Sequence, residues 1–358
     1  TGPIRIGDRW TFIARYADNS VEELNAAPPE DYQHHYCRLA LVEASGGDWV
    51  APAASDCRDP IEFGGECCCT VIVHPGEDIQ AAINSLPDDV GGCICLKAGL
   101  HTVSSALQIT TPNVVLHGES AGVTVRRSDD GPVLEVTGTT GIQISTIRFE
   151  HPSAQANAFG IVEIISSADI SIVGCGFFAA RGTSSAGILL ADASDVTISQ
   201  SRFEALVFGI MALERCDHIR IEDNSMTLGA QSFVGQLGVT AVGLTGPVRV
   251  TGNRITGAVT GISVNDDPSG VLRGSLGEGS QISHNEIDLM QAGAAPGDPV
   301  VFYGIDSGAG DTLIDGNRVS FAGSATAGIR ASGIAAKVTH NTIEANFVAD
   351  DDARNLGI

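Results

Sequence analysis

Short apolar segments recur along the chain with one arrangement of hydrophobic and polar positions. Two aliphatic residues two positions apart are followed by a turn position three residues later, and by another apolar residue five residues later. Because side chains two apart in a strand point to the same side, each segment predicts two inward-facing strands joined by a tight turn. The segments start from Ile142/Ile144, Ile170/Ile172, Val196/Ile198, Ile219/Ile221, Val248/Val250, Ile282, Ile314 and Val338.

The segments repeat at intervals of 23 to 32 residues, which is typical of one supersecondary coil per repeat. A pair of glycine and isoleucine recurs in most repeats and predicts a third short strand. These pairs begin at Gly160, Gly187, Gly209, Gly261, Gly304 and Gly328. Three strands per repeat, each stacked on its counterpart, predict an all-β fold: a right-handed parallel β-helix.

The turn position changes character along the chain. It is occupied by Ile147, Cys175 and Ser201, and then by Asn224, Asn253, Asn285, Asn317 and Asn341. Asparagine tolerates the left-handed conformation of tight turns, and stacked amides can hydrogen-bond from coil to coil. We therefore expect an asparagine ladder. The apolar position two residues after the turn starts as Phe149, Phe177 and Phe203, which predicts an internal aromatic stack.

With this pattern, residues 70 to 345 resemble the pectate lyase-like superfamily of right-handed parallel β-helices. The resemblance implies the same fold, and for some members it implies polysaccharide cleavage on the lateral face. The chain lacks two elements of the polygalacturonase-type enzymes, Gly-His-Gly and Arg-Ile-Lys. Residues 1–66 resemble a segment of uncharacterised bacterial proteins, some of them linked to contractile phage-tail-like assemblies.

The ends of the chain differ from its middle. Ile79, Ala82, Ile83 and Leu86 fall at helical spacing and predict a short capping helix over 77–86, which would cover the first coil. We expect residues 1–66 to form a β-rich, cysteine-containing extension, residues 67–345 to form the β-helix, and residues 346–358 to form a polar tail. The pattern is compatible with a homo-oligomer or with a larger assembly.

The chain is strongly acidic, with a formal net charge of −23. Such a surface repels phosphate backbones and anionic membranes, which argues against nucleic acid and membrane as partners. It also repels polyanionic sugars unless cations bridge the charges. No stretch reaches the roughly 20 apolar residues that cross a bilayer. We expect an extracellular or surface-associated protein.

Cysteines cluster before the first complete coil. The members that could form disulfides or a structural site are Cys57, Cys67, Cys69, Cys93 and Cys95. Three interpretations compete: disulfides that fix the N-terminal cap, buried thiols that act as small apolar residues, and a structural metal site. His34 and His35 lie near Cys37 and fit either a metal site or an ordinary half-buried strand.

The polar groups that best fit sugar chemistry lie in the C-terminal half. The candidate catalytic residues are Asp267, Asp306 and Arg330, and Asn265 and Asp266 are candidate substrate-binding residues. Asp306 and Arg330 each follow an inward-facing isoleucine at matched positions, so they should face outward and stack about 5 Å apart. Asp267 and Asp306 could then act as general acid and base, while Arg330 holds an anionic group.

A second outward set lies on the strands of the paired aliphatic residues. It consists of Glu222, Arg249, Asp315 and Lys337. Pectate lyase-type enzymes hold Ca²⁺ with clustered acids at such positions, but here the acids are single. A solvated surface role is the alternative for every residue of both sets.

Two functions fit these observations. The first is a carbohydrate-interacting β-helix that binds or cleaves a polysaccharide on its lateral face, as a lyase or a glycoside hydrolase if it is an enzyme. The alternative is a non-enzymatic spike, fibre or adhesin component of a larger bacterial assembly. The missing catalytic elements and the unusual N-terminal block favour the alternative.

Overall fold

The computed structural model describes most of the repeated region and a few strands before it. The described residues are 14–15, 20–21, 43–45, 48–50, 69–151, 160–179, 186–228, 237–242, 244–265, 279–289, 302–322, 326–333 and 335–346. The chain divides into two units, Thr1–Gly65 and Glu66–Ile358. In the first unit Ala14–Arg15 pairs with Ser20–Val21, and Glu43–Ser45 pairs with Asp48–Val50, both antiparallel.

The second unit is a right-handed parallel β-helix, as the repeats predict. Successive coils place their strands in three parallel sheets, named I, II and III in the order in which each coil visits them. Sheet I contains Val71–Val73, Gly92–Leu96, Val114–Gly118, Thr140–Ser145, Ala168–Val173, Ser194–Ser199, Ile219–Glu222, Val248–Thr251, Gln281–Ser283, Leu313–Asp315 and Lys337–Thr339. Sheet II contains Gly99–Val103, Val123–Arg127, Arg148–His151, Gly176–Ala179, Arg202–Leu206, Ser225–Leu228, Arg254–Ala258, Glu286–Leu289, Arg318–Ala322 and Thr342–Asn346. Sheet III contains Leu107–Ile109, Leu134–Thr137, Gly160–Ile165, Ala186–Ala191, Phe208–Leu213, Leu237–Val242, Thr260–Asn265, Phe302–Ser307 and Thr326–Ala331.

The core is a set of columns inside this cylinder. Ile144 pairs with Ile172, and Ile172 with Ile198, so the aliphatic residues that define the repeat lie above one another. These residues are almost completely buried. Since burying an aliphatic side chain contributes about 1.5 to 3 kcal/mol, the repeated pattern supplies most of the driving force for stacking.

The asparagine ladder is present at the corner between sheets I and II. Asn253 Nδ2 donates to Asn285 Oδ1 at 3.0 Å and to the Ile221 carbonyl at 2.8 Å, and Asn224 makes the same contacts one coil earlier. The ladder continues through Asn317 to Asn341. Every described amide of the ladder therefore has hydrogen-bond partners despite its burial.

The prediction that these asparagines adopt the left-handed conformation is wrong, because the preceding residue of each turn adopts it instead. The residue before each asparagine has the positive φ: it is Asp223, Gly252, His284, Gly316 and His340. This residue turns the chain and faces solvent, while the asparagine is directed into the corner. The asparagine is thus required for its amide hydrogen bonds and not for a left-handed backbone.

Two further columns line the interior next to this corner. Phe149, Phe177 and Phe203 stack with ring centroids 5.8 and 4.7 Å apart, as predicted. At the start of sheet III the glycines from Gly187 onward stack, and a methyl group on Gly238 would overlap the Gly261 carbonyl. Gly160 lies one residue earlier, opposite Ala186, so it is not part of this column.

The first coil is closed by a helix and a disulfide. The helix spans Ile79–Asn84, shorter than the predicted 77–86, and the Asp78 side chain caps it by accepting a hydrogen bond from Ala81 N. Cys69 and Cys95 form a disulfide with Cα atoms 5.6 Å apart. A loop of this length contributes roughly 3 kcal/mol of stability by restricting the unfolded chain. This end of the β-helix is therefore covered and covalently fixed.

Candidate functional site

The outer face of sheet III carries a continuous polar strip in its C-terminal half, which we call the sheet III track. Its members are Thr240, Ser263, Asn265, Asp306 and Arg330. Thr240, Ser263, Asp306 and Arg330 lie directly opposite one another on successive coils, and Asn265 Nδ2 donates to Ser263 Oγ at 2.7 Å. Thr240 and Asp306 are buried, the Thr240 hydroxyl completely. The groups that the track offers to a ligand are therefore a hydroxyl, an amide and a guanidinium group, on coils spaced about 4.8 Å apart.

Asp306 and Arg330 form the most strongly organised group of this track. Arg330 Nε and Nη2 donate to the two carboxylate oxygens of Asp306, both at 2.6 Å. The Arg330 Cζ atom lies 4.3 Å from the centroid of the Tyr303 ring. Asp306 is only 7% exposed, whereas the Arg330 side chain is 51% exposed. The hydrogen bonds that Arg330 donates to Asp306 raise the pKa of Arg330 further above its ordinary value.

The predicted outward stacking of Asp306 and Arg330 is confirmed by their register. Asn265 is also on this face, one coil before Asp306. Asp266 and Asp267 lie outside the described residues, so the structure does not place the proposed second carboxylate. Both oxygens of Asp306 accept charge-assisted hydrogen bonds from Arg330, so the carboxylate fixes the orientation of the guanidinium.

The second predicted set is on the outer face of sheet I but does not form one cluster. Arg249 is one coil after Glu222, and Lys337 is one coil after the strand of Asp315. Glu222 and Asp315 are three coils apart, roughly 14 Å. Asp315 instead accepts hydrogen bonds from Thr339 and His340, which lower its pKa.

A buried carboxylate on sheet III was missed by the sequence analysis. Glu163 is 7% exposed and accepts a hydrogen bond from Gly160 N at 3.0 Å. It lies opposite Glu135, whose carboxylate is bonded to Gln108. Burial raises the pKa of Glu163, and the negative charge of Glu135 adds to this effect. The signal was available, because Glu163 is the one acid within an otherwise apolar strand.

An open cleft of about 510 Å³ lies where the N-terminal strands of sheet III turn into sheet I. Hydroxyl side chains dominate its lining, among them Thr139, Ser166 and Ser194. Ser166 Oγ donates to Asp192, which also pairs with Arg215 at 3.1 Å. The cleft is therefore neutral apart from this one ion pair.

The cysteines act structurally wherever they are described. Cys69 and Cys95 form the disulfide of the cap, and Cys93 is also disulfide-bonded. Burial raises the pKa of the Cys175 thiol to about 11, which makes it a poor nucleophile. Cys57, Cys67, His34, His35 and Cys37 lie outside the described residues. Within the described ranges, no group of three or more metal-binding side chains comes together, and no helix is long and apolar enough to span a membrane.

Comparison with known proteins is informative only at the level of the fold. No protein-family model matches the chain, and no curated protein matches its sequence. A mutant tailspike of E. coli bacteriophage HK620, in complex with a hexasaccharide, matches with a TM-score of 0.56 and 17% identity over 76% of this chain and 54% of the tailspike. The same phage's tailspike with a pentasaccharide matches with a TM-score of 0.52 and 18% identity over 77% of this chain and 55% of that one.

The surface protein and adhesin PfbA of Streptococcus pneumoniae matches with a TM-score of 0.45 and 12% identity, over 77% of this chain and 95% of PfbA. The chain spans about half the length of the tailspikes it matches. At identities below one fifth, the tailspike matches show a shared β-helix fold. Membership of the pectate lyase-like superfamily and the relationship of residues 1–66 remain predictions.

Proposed function

We propose that this protein binds a polysaccharide lengthwise along the sheet III track. The observation that carries the proposal is the Asp306–Arg330 pair beside Tyr303. Asp306 holds Arg330 in one orientation, and the guanidinium remains half exposed for a ligand. A pre-oriented planar donor next to an aromatic ring suits a sugar, which offers hydroxyl oxygens at its rim and C–H groups on its faces.

The neighbouring coils extend the same chemistry. Ser263 and Asn265 supply one hydroxyl and one amide within two residues, two coils from Arg330, so a glycan lying across these coils can contact all three side chains. The fold is shared with tailspikes whose structures are complexes with a pentasaccharide or a hexasaccharide, and this supports a glycan as the ligand class. Cleavage would require a further carboxylate, for which Asp267 is the candidate.

The non-enzymatic alternative, a spike or adhesin component, is compatible with the same binding face. The bidentate pairing of Asp306 favours it, because both carboxylate oxygens are engaged by Arg330 and are not directed at a ligand. Release of reducing ends or of unsaturated products from any polysaccharide would contradict this alternative.

The test is a binding panel of neutral polysaccharides with the wild type, Arg330→Gln and Arg215→Gln. Arg215 is the matched control, because it is an exposed arginine paired with an aspartate outside the track. We expect Arg330→Gln to weaken glycan binding at least tenfold, about 1.4 kcal/mol, and Arg215→Gln to leave it unchanged. Equal affinity of all three proteins, or no binding to any glycan, would refute the proposal.

A further inference from the structure

The outer face of sheet II carries arginines at a regular interval along the axis. Arg148, Arg202, Arg254 and Arg318 occupy one register column, and each is two coils from the next. The coils between them carry Gly176, Ser225 and Glu286 in this column. With about 4.8 Å per coil, the guanidinium groups recur roughly every 10 Å.

Glutamates orient these arginines without occupying all their donors. The Nε atoms of Arg148 and Arg202 contact Glu150 and Glu204, at 2.6 and 2.5 Å. The contacted Nε lies away from the terminal edge of the guanidinium, which carries the two Nη groups. With Nε engaged, the two Nη groups of that edge can still bind a further carboxylate through two parallel hydrogen bonds.

Of the later members of the column, Arg254 follows this arrangement more loosely, whereas Arg318 contacts its glutamate through one of its terminal Nη groups. Arg254 Nε lies 3.8 Å from Glu286, and Arg318 contacts Glu344 through Nη2 at 2.9 Å. The exposed fractions of the four arginine side chains run from 40% to 74%. All four guanidinium groups are therefore within reach of a ligand in solvent.

This face differs in charge from the chain as a whole. The outward positions of the described sheet II strands hold five arginines and five acids, so the face is neutral in a protein of net charge −23. The arginines are Arg126, Arg148, Arg202, Arg254 and Arg318, and the acids are Glu150, Glu204, Glu286, Asp288 and Glu344. A long anionic ligand is repelled less here than the net charge of the chain alone implies, which qualifies the expected exclusion of polyanionic sugars.

The coil between Arg148 and Arg202 adds an aromatic surface. Gly176 and Phe178 face outward there, and the Arg148 guanidinium lies 5.0 Å from the Phe178 ring centroid. One sugar unit of an extended glycan advances the chain by nearly the spacing between coils. A carboxylate on every second sugar would therefore meet successive arginines, while the uncharged sugar between them packs on Phe178 or beside Ser225.

We propose that the outer face of sheet II binds an acidic polysaccharide that carries one carboxylate on every second sugar. This site is separate from the sheet III track and does not depend on it. The partner is defined by its charge spacing, so a polymer with a carboxylate on every sugar and a neutral polymer are the natural comparisons.

The experiment measures binding of hyaluronate, polygalacturonate and dextran at low and moderate salt to the full chain. The variants are Arg202→Gln/Arg254→Gln, the control Arg215→Gln, and Asp306→Asn/Arg330→Gln of the sheet III track. We expect the wild type to prefer hyaluronate at least tenfold over both other polymers, with an affinity that falls as salt rises. Arg202→Gln/Arg254→Gln should lose at least tenfold for hyaluronate, and the other two variants should keep it.

The outcomes separate the two proposals. If hyaluronate binding is lost only in Asp306→Asn/Arg330→Gln, the sheet II site is wrong and the sheet III track stands. Equal binding of hyaluronate and polygalacturonate, or no loss in Arg202→Gln/Arg254→Gln, also overturns the sheet II site. Circular dichroism and melting temperature should be unchanged in Arg202→Gln/Arg254→Gln, because these side chains are exposed.

Discussion

The corner between sheets I and II is built in two ways within one β-helix. In the earlier coils the turn position holds Ile147, Cys175 and Ser201, beside a stack of phenylalanine rings. From Asn224 onward the turn position is an amide ladder, and the phenylalanines give way to Met226 and aliphatic residues. The same coil shape is thus stabilised by apolar packing at one end and by buried hydrogen bonds at the other.

The junction between the two halves shows why the change can occur. Ser201 N donates to Asn224 Oδ1, and Ser201 Oγ accepts from Cys175 N. The serine N–H thus donates to the first amide oxygen of the ladder, and the serine hydroxyl accepts one hydrogen bond from the backbone of the coil that contains Cys175. A buried amide needs partners above and below, whereas a buried phenylalanine needs only volume, so a ladder must end on a small polar residue or in solvent.

The largest effect is expected from breaking the ladder in its middle. Asn253→Ala leaves the backbone N–H and the side-chain amide of Asn224 without their acceptor, and it leaves the Ile221 carbonyl without its amide donor. We expect a loss of about 4 kcal/mol in the free energy of unfolding, measured by urea denaturation. Asn341→Ala removes the equivalent acceptor from Asn317, but at the partly exposed end of the ladder water can replace it, so the cost should be only about 1 kcal/mol. Equal losses of stability at the two positions would contradict the prediction that the buried middle of the ladder contributes more than its exposed end.

The interior columns could be predicted from the sequence because each column requires the same kind of side chain at successive coils. The position of the left-handed residue was not predicted, since aspartate, glycine and histidine occupy it and share no pattern. The outer faces were predicted only in part. Asp306 and Arg330 were found through their register, but the arginines of sheet II were overlooked although each follows its turn position by one residue.

The second prediction tests the apolar half. Phe177→Leu removes one ring from the stack and leaves a small void, which should lower the free energy of unfolding by about 2 kcal/mol. Met226→Leu, in the half with the asparagine ladder, nearly conserves the side-chain volume and should lower the free energy of unfolding by less than about 1.5 kcal/mol. Urea denaturation of both variants supplies the measurement. A larger loss for Met226→Leu would show that the aromatic stack contributes no more than ordinary aliphatic packing.

The smallest expected effect on stability comes from two outward-facing carboxylates of sheet III, one in each half of the β-helix. Glu163 and Asp306 lie in the same column of sheet III and are equally buried, but only Asp306 pairs with an arginine. Burial raises the pKa of Glu163 above 4.5, so the folded protein binds this proton more tightly than the unfolded chain does. The stability of the wild type therefore falls as the pH rises from about 4.5 through the folded-state pKa.

Glu163→Gln removes this titration and keeps an oxygen that can accept the hydrogen bond from Gly160. We expect the variant to melt at a higher temperature than the wild type at neutral pH and to lose this advantage as the pH falls to 4. Asp306→Asn should have the opposite sign and lower stability by about 1 kcal/mol, because it weakens the bidentate pair with Arg330. Melting curves of both variants at pH 4 and pH 7 provide the comparison. If Glu163→Gln is less stable than the wild type at neutral pH, then the negative charge of Glu163 is stabilised by its surroundings, and the contrast between the two carboxylates does not hold.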